Sequence, residues 1–160
     1  PGFFHMGGQS GPIGFPEQLD TPYTYETLAP KGLAVGSGAI VVLDDSVCIV
    51  EYIQKVFEFF VHESCGKCTP CRLGTTRILE LLTDFVEGRA KDGDVERLEY
   101  MARQVSQLSA CGLGQSVNVA LMSALRHRRG DFEAHINGGA CPAGACACHE
   151  NGRNKACLTI

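Results

Sequence analysis

No run of eighteen apolar residues occurs in the 160-residue chain, so no segment reads as a transmembrane helix. Residues 1–20 lack a positively charged start followed by an apolar run, so no secretory leader is expected there. An excess of positive charge is missing too. Lys and Arg number 14 against 18 Asp and Glu, a formal charge of −4, which argues against nucleic acid or an anionic membrane surface as the main partner. The dinucleotide fingerprint is absent: Gly36-Ser37-Gly38 precedes the best strand instead of following one, and position 41 is Val41. Nothing resembles a Ser-His-Asp or Cys-His catalytic arrangement. Pro1 stands where an initiator Met is usual, as expected of a fragment or a processed product.

Cysteine, by contrast, is abundant. Nine occur, an odd number that rules out complete pairing within the chain, in a sequence long enough to fold without disulfide staples. With no export signal the expected compartment is reducing and cytoplasmic, where clustered cysteines point to metal more than to disulfides. Hydrophobic residues make up 44%, enough for a core, and charged residues at 20% are too few for a disordered polymer.

The expected fold class is α+β. Residues 1–46 are punctuated by Gly and Pro, which predicts turns and short strands, the best strand being Ala39 to Leu43. From 47 the apolar period becomes helical: Ile49, Ile53, Val56, Phe57 and Phe60 predict a helix over 47–63. A second helix follows the first cysteine group, with Thr69 as cap, Pro70 in its first turn and Gly88 after its end. A third is predicted over 94–108, with Val95, Leu98, Met101, Ala102, Val105 and Leu108 on one face, and a fourth over 114–135. Short loops between such helices favour an antiparallel four-helix bundle. After Asn137 the chain becomes an irregular tail of Gly, Ala and Cys with no core of its own.

Cys65, Cys68 and Cys71 are spaced C-x2-C-x2-C, inside Glu63-Ser64-Cys65-Gly66-Lys67-Cys68-Thr69-Pro70-Cys71-Arg72. Three thiolates two residues apart suit a loop wrapped around one corner of a cubane, whereas tetrahedral zinc more often takes two cysteines from each of two knuckles. The spacing therefore favours [4Fe-4S], with a zinc knuckle or a metal-free loop as alternatives. The bacterial ferredoxin pattern would place the fourth cysteine at position 75, which is Thr75. Cys111 and the tail cysteines are the candidates, and an antiparallel second and third helix bring Cys111 back to the triplet's end of the bundle. Lys67 and Arg72 would offset the cluster's charge and raise its potential, or they are solvated surface cations.

With Ser109-Ala110-Cys111-Gly112-Leu113-Gly114, these residues resemble the C-terminal part of the NADH-binding flavoprotein subunit family of respiratory complex I. The same module occurs in β subunits of NAD-linked and electron-bifurcating hydrogenases and in NAD-dependent formate dehydrogenases. The resemblance implies that residues 1–46 are the C-terminal portion of a β-grasp, soluble-ligand-binding domain, and that 47–136 form a four-helix [4Fe-4S] domain. It implies Cys65, Cys68, Cys71 and Cys111 as the cluster ligands, Gly112 and Leu113 as FMN neighbours, and an electron path from NAD(P)H through FMN and this cluster to other iron-sulfur centres or a partner subunit. The Gly-rich FMN and NADH-binding domain of the family lies N-terminal to everything here, so enzyme activity is expected only of a larger oxidoreductase subunit.

The segment His135 to Cys146 extends the resemblance toward the hydrogenase-type β subunits. Residues 137–160 form a Cys-rich tail, where His135 with Cys141, Cys146 and Cys157 could make a closed zinc site, with Cys148 and His149 as competing ligands, a second iron-sulfur cluster or free thiols being the alternatives. Cys48, alone before the first helix, reads as a small buried hydrophobe. His5, His62 and His127 read as surface or core polar groups, and Arg126-His127-Arg128-Arg129 as helix-flanking charge, with partner binding as its alternative. The expected function is an electron-transfer module of a hydrogenase or bifurcating complex, with other iron-sulfur and catalytic subunits as partners. The alternatives are a complex I or formate dehydrogenase fragment, or a non-redox, zinc-stabilised interaction domain.

Overall fold

Helical periodicity from residue 49 onward becomes four long helices. The structure is a computed structural model and describes residues 2–146. The long helices are α2 (Ile49–Glu63), α3 (Thr69–Val86), α4 (Asp94–Leu108) and α6 (Asn118–Glu133), with the single-turn α5 (Gly112–Ser116) before the last. Each buries residues three or four apart: Ile53, Val56, Phe57 and Phe60 from α2, Ile78, Leu82 and Phe85 from α3, Leu98 and Ala102 from α4, Leu121 and Ala124 from α6. α2 packs on α3, α3 on α4, α4 on α6 and α6 on α2, which closes an up-down-up-down bundle. The α3–α4 approach is close enough to require glycine: a Cβ on Gly74 would lie 2.2 Å from Val105 Cγ2.

The N-terminal part contributes a three-stranded antiparallel sheet in the order β2-β1-β3, from β1 (Phe3–Met6), β2 (Ile13–Gly14) and β3 (Ile40–Leu43), with the short helix α1 (Tyr25–Leu28) between the last two. The chain is thus α+β. Phe3, Ile13 and Phe15 share one continuous core with the bundle, while Phe4, Met6, Leu28 and Leu33 form a smaller cluster on the sheet's other face. His5 is buried in β1, where its Nε2–H donates to the Gly11 carbonyl at 3.0 Å and its bare Nδ1 accepts from the Tyr52 hydroxyl at 2.9 Å.

Three expectations need correction. The second helix is capped by Cys68, with Thr69 its first residue. The fourth helix is broken at Val117, where the Ser106 hydroxyl takes the Gln115 carbonyl at 2.6 Å, and it ends at Glu133. Leu108 is 64% exposed, and with Leu73 and Tyr100 it edges an open apolar groove between α3 and α4. No described helix is long and apolar enough to cross a membrane.

Candidate metal centres

Between α2 and α3 the chain makes a tight loop. Helix α2 stops at Ser64, which is extended, Gly66 takes a φ of +73° that an L side chain rarely adopts, and Cys68 caps α3. Arg72 Nη1 donates to the Gly66 carbonyl at 3.2 Å and so closes the loop from the helix side. Ser64 Oγ lies 3.3 Å from Cys71 Sγ and accepts from the Gly66 N–H at 3.4 Å, so its own proton is available to the sulfur. Cys71 is buried, Cys68 half-buried and Cys65 exposed.

The turn between α4 and α5 meets this loop at the same end of the bundle. Cys111 is exposed and caps α5. The preceding residue's backbone N–H, that of Ala110, is the main reason the Cys68 thiol sits below the ordinary thiol range. The Cys71 N–H and the Ser109 hydroxyl add to it against a desolvation cost. A Cβ on Gly114 would lie 3.2 Å from Cys71 Cβ and 2.3 Å from Ser109 Oγ, so only glycine lets the two turns close. The Ser109 hydroxyl has no hydrogen-bond partner with full geometry, the sole buried side-chain nitrogen or oxygen so left among the described residues. Gly112 is exposed at the start of α5, and Leu113 is partly buried against the core.

A second donor group lies at the other end of the bundle. Cys48, which caps α2, His135 after α6, and Cys141 and Cys146 of the tail are all buried, and one ligand atom from each lies within 4.8 Å of the others. His135 Nδ1–H donates to the Asp131 carbonyl at 2.6 Å, leaving Nε2 facing the sulfurs of Cys48 and Cys146 at 3.5 and 3.4 Å. Burial opposes a charge on this ring, but the sulfurs of Cys141 and Cys48 and the Asp131 carbonyl together lift His135 to about 10. Hydrogen bonds from Cys146 and Cys48 hold Cys141 far below the ordinary thiol range, and the Cys141 and Cys48 sulfurs push Cys146 far above it. The pocket thus gathers three sulfurs and one imidazole nitrogen where a cation fits.

Cys48 is buried as its apolar surroundings suggest, but it is a member of this group, which its isolation in the sequence concealed. Cys157, Cys148 and His149 lie outside the described residues. The tail is also tied to the α3–α4 turn, through Asn137 N–H to the Ala90 carbonyl at 2.8 Å and Asn137 Nδ2 to Asp92 at 3.1 Å.

A cysteine loop ahead of one bundle helix, met by a turn bearing a further cysteine, defines a helical iron-sulfur-binding domain. Residues 51–135 match the family described as NADH-ubiquinone oxidoreductase-F iron-sulfur binding region, and the chain belongs to it. It is 37% identical over 140 residues to the F subunit of NADH-quinone oxidoreductase from Streptomyces coelicolor, covering 88% of this chain and 31% of that protein. It is 35% identical over 140 residues to the HndC subunit of NADP-reducing hydrogenase from Solidesulfovibrio fructosivorans, covering 88% and 29%. It superposes on NAD+-reducing [NiFe]-hydrogenase in the H2-reduced state with a TM-score of 0.75 at 32% identity, covering 84% of this chain and 23% of that one. The chain thus spans about a third of the length of the curated relatives it matches. The family carries a [4Fe-4S] cluster. The residues here suit such a group: thiols on two converging turns, backbone N–H groups aimed at sulfur, and two helix N-termini favouring negative charge.

Proposed function

We propose that Cys65, Cys68, Cys71 and Cys111 ligate one [4Fe-4S] cluster, and that the chain is the electron-transfer module of an NAD(P)H-linked oxidoreductase. The observation that carries this reading is the Ala110 N–H at the Cys68 sulfur, which brings the turn of Cys111 to the triplet. When bound, the cluster supplies one-electron transfer. The protein's own residues hold it and set its surroundings. Cys71 would hold it from the buried side, Cys65 and Cys111 from the exposed side, and the backbone N–H groups of Ala110 and Cys71 would offset its negative charge.

In the larger protein, residues 1–46 would be the C-terminal portion of a β-grasp domain, 47–136 the four-helix cluster domain and 137–160 the Cys-rich tail. Flavin and nicotinamide would bind the rest of that protein, with Gly112 and Leu113, next to Cys111, as the flavin neighbours. The names of the relatives favour a multi-subunit assembly of complex I or hydrogenase type. Other iron-sulfur subunits as partners and a cytoplasmic setting would follow from the reading of the sequence. The chain purified anaerobically should hold about four irons and four sulfides, with a broad absorption near ~400 nm that bleaches on reduction. Cys111→Ser should lose most of both. Zinc alone at the triplet would overturn the reading in favour of a non-redox interaction domain.

We assign Cys48, His135, Cys141 and Cys146 as a closed structural zinc site. Zn–S bonds of about 2.3 Å in a tetrahedron place sulfurs about 3.8 Å apart, so only a slight contraction of the group is needed. The Asp131 carbonyl fixes the ring so that Nε2 is the ligand, as outer partners of metal-bound histidines commonly do.

A further inference from the structure

Ser109 follows the last residue of α4, two positions before Cys111. Its backbone is fixed on both sides: its N–H donates to the Val105 carbonyl at 3.1 Å, and its carbonyl accepts from Gln115 Nε2 at 3.2 Å. Ser109 is 5% exposed, so the hydroxyl has no access to bulk water that would satisfy it. Buried hydroxyls are normally paired, and an orphan demands an explanation. The neighbouring hydroxyls are committed elsewhere: Thr75 Oγ1 donates to the Cys71 carbonyl at 2.8 Å, and Ser64 Oγ sits against Cys71 Sγ. Ser109 alone among them makes no full hydrogen bond, and what its hydroxyl faces is the Cys68 sulfur, on the turn that closes over Cys68 and Cys71.

We infer that the Ser109 hydroxyl is a hydrogen-bond donor to the sulfur face of the [4Fe-4S] cluster, to a sulfide or to the Cys68 thiolate, and that it raises the cluster's reduction potential. The inference rests on the proposed cluster ligation. Gly114 is the second element of the device: the space left by its missing Cβ is filled by the Ser109 side chain next to Cys71. A donor at sulfur stabilises the reduced cluster, which carries one more negative charge, more than the oxidised one. Ser109 is therefore a positioning and tuning residue that ligates nothing itself.

The test compares the anaerobically purified, cluster-loaded chain with Ser109→Ala and Ser109→Thr, by iron and sulfide content and by a redox titration followed by electron paramagnetic resonance. Ser109→Ala should keep its iron and shift the redox equilibrium about tenfold toward the oxidised cluster, a fall of about 59 mV for a one-electron couple. Ser109→Thr, which keeps the hydroxyl, should restore most of that potential. A fully loaded Ser109→Ala with an unchanged potential would overturn the inference. If Ser109→Ala holds no cluster, retention by Ser109→Thr supports a donor role, and loss from both refutes it in favour of packing. Absence of a cluster from the unsubstituted chain strikes the ligation itself, so the two failures remain distinct.

Discussion

Replacing Cys48 by Ala tests the tail site most directly, because it removes one sulfur from the start of α2 and alters no residue of the tail or of the cluster loop. As a mere buried hydrophobe, Cys48 would lose roughly one buried methylene equivalent, about 1 kcal/mol. As a ligand its loss has a different scale. Ordering residues 139–146 costs about 1–2 kcal/mol of backbone entropy each, roughly 8–16 kcal/mol altogether. Their apolar return is small, since apart from the two cysteines only Ala143 and Ala145 pack on the core. A structural zinc contributes about 10–16 kcal/mol at neutral pH, which matches that cost. Cys48→Ala should therefore release the zinc, about one per chain, and free the segment. Metal analysis should show zinc lost with iron retained, and hydrogen exchange at 139–146 should rise toward the unprotected rate while α2 and α3 stay protected. Full zinc content together with a protected tail would refute the assignment of Cys48.

Three further predictions rest on other parts of the fold. Gly74→Ala drives a methyl into Val105 Cγ2 and should cost about 1–3 kcal/mol of overpacking, partly offset by about 1 kcal/mol of helix propensity. Adding Val105→Ala should recover part of the loss, and strictly additive denaturation energies would sink the idea. Burial, partly countered by the Gly11 carbonyl, holds His5 below its ordinary value, so the unfolded state binds a proton that the native state refuses. The stability this represents is present above about pH 6.5 and falls as pH drops through the window below it, by at most ~1.4 kcal/mol per pH unit. Urea unfolding should show His5→Asn less acid-sensitive than the unsubstituted chain, and identical pH slopes would contradict this. Leu82→Ala, which empties a fully buried position of α3, should cost about 2–5 kcal/mol in the same unfolding assay. A loss under about 1 kcal/mol would show that the bundle core is less tightly packed than the burial pattern requires.

What could be read from the sequence follows the range over which each signal acts. The long helices were legible because apolar residues three and four apart can be buried together in few other ways, and the third runs over the expected Asp94–Leu108. The break at Val117 was not, since it depends on the Ser106 hydroxyl reaching Gln115 across a turn. β1 escaped notice because Phe3-Phe4-His5-Met6 is buried on both faces and shows no alternation. The cysteine triplet is local and plain. Cys48 is the opposite case: 87 residues separate it from His135, and between Val47 and Ile49 it reads as core. The bundle topology held the missing signal, for in an antiparallel set the start of the first helix lies beside the end of the fourth.

That topology also separates the duties of the two donor groups. Cys48 caps the start of α2 and the triplet follows its end, so 15 residues of helix, about 22 Å, lie between them. At the Cys48 end the four ligand candidates among the described residues are buried, the ring orientation is fixed by a backbone carbonyl, and three sulfurs and one nitrogen supply the donor count of a tetrahedral site. Such a site has no open position and suits a redox-inert ion that holds the tail in place. At the other end two of the four cysteines face outward, so charge can pass between this centre and a partner without the bundle unfolding or opening. Under the proposed ligation, the contrast in exposure, more than the cysteine count, would assign structure to one end of the bundle and electron exchange to the other.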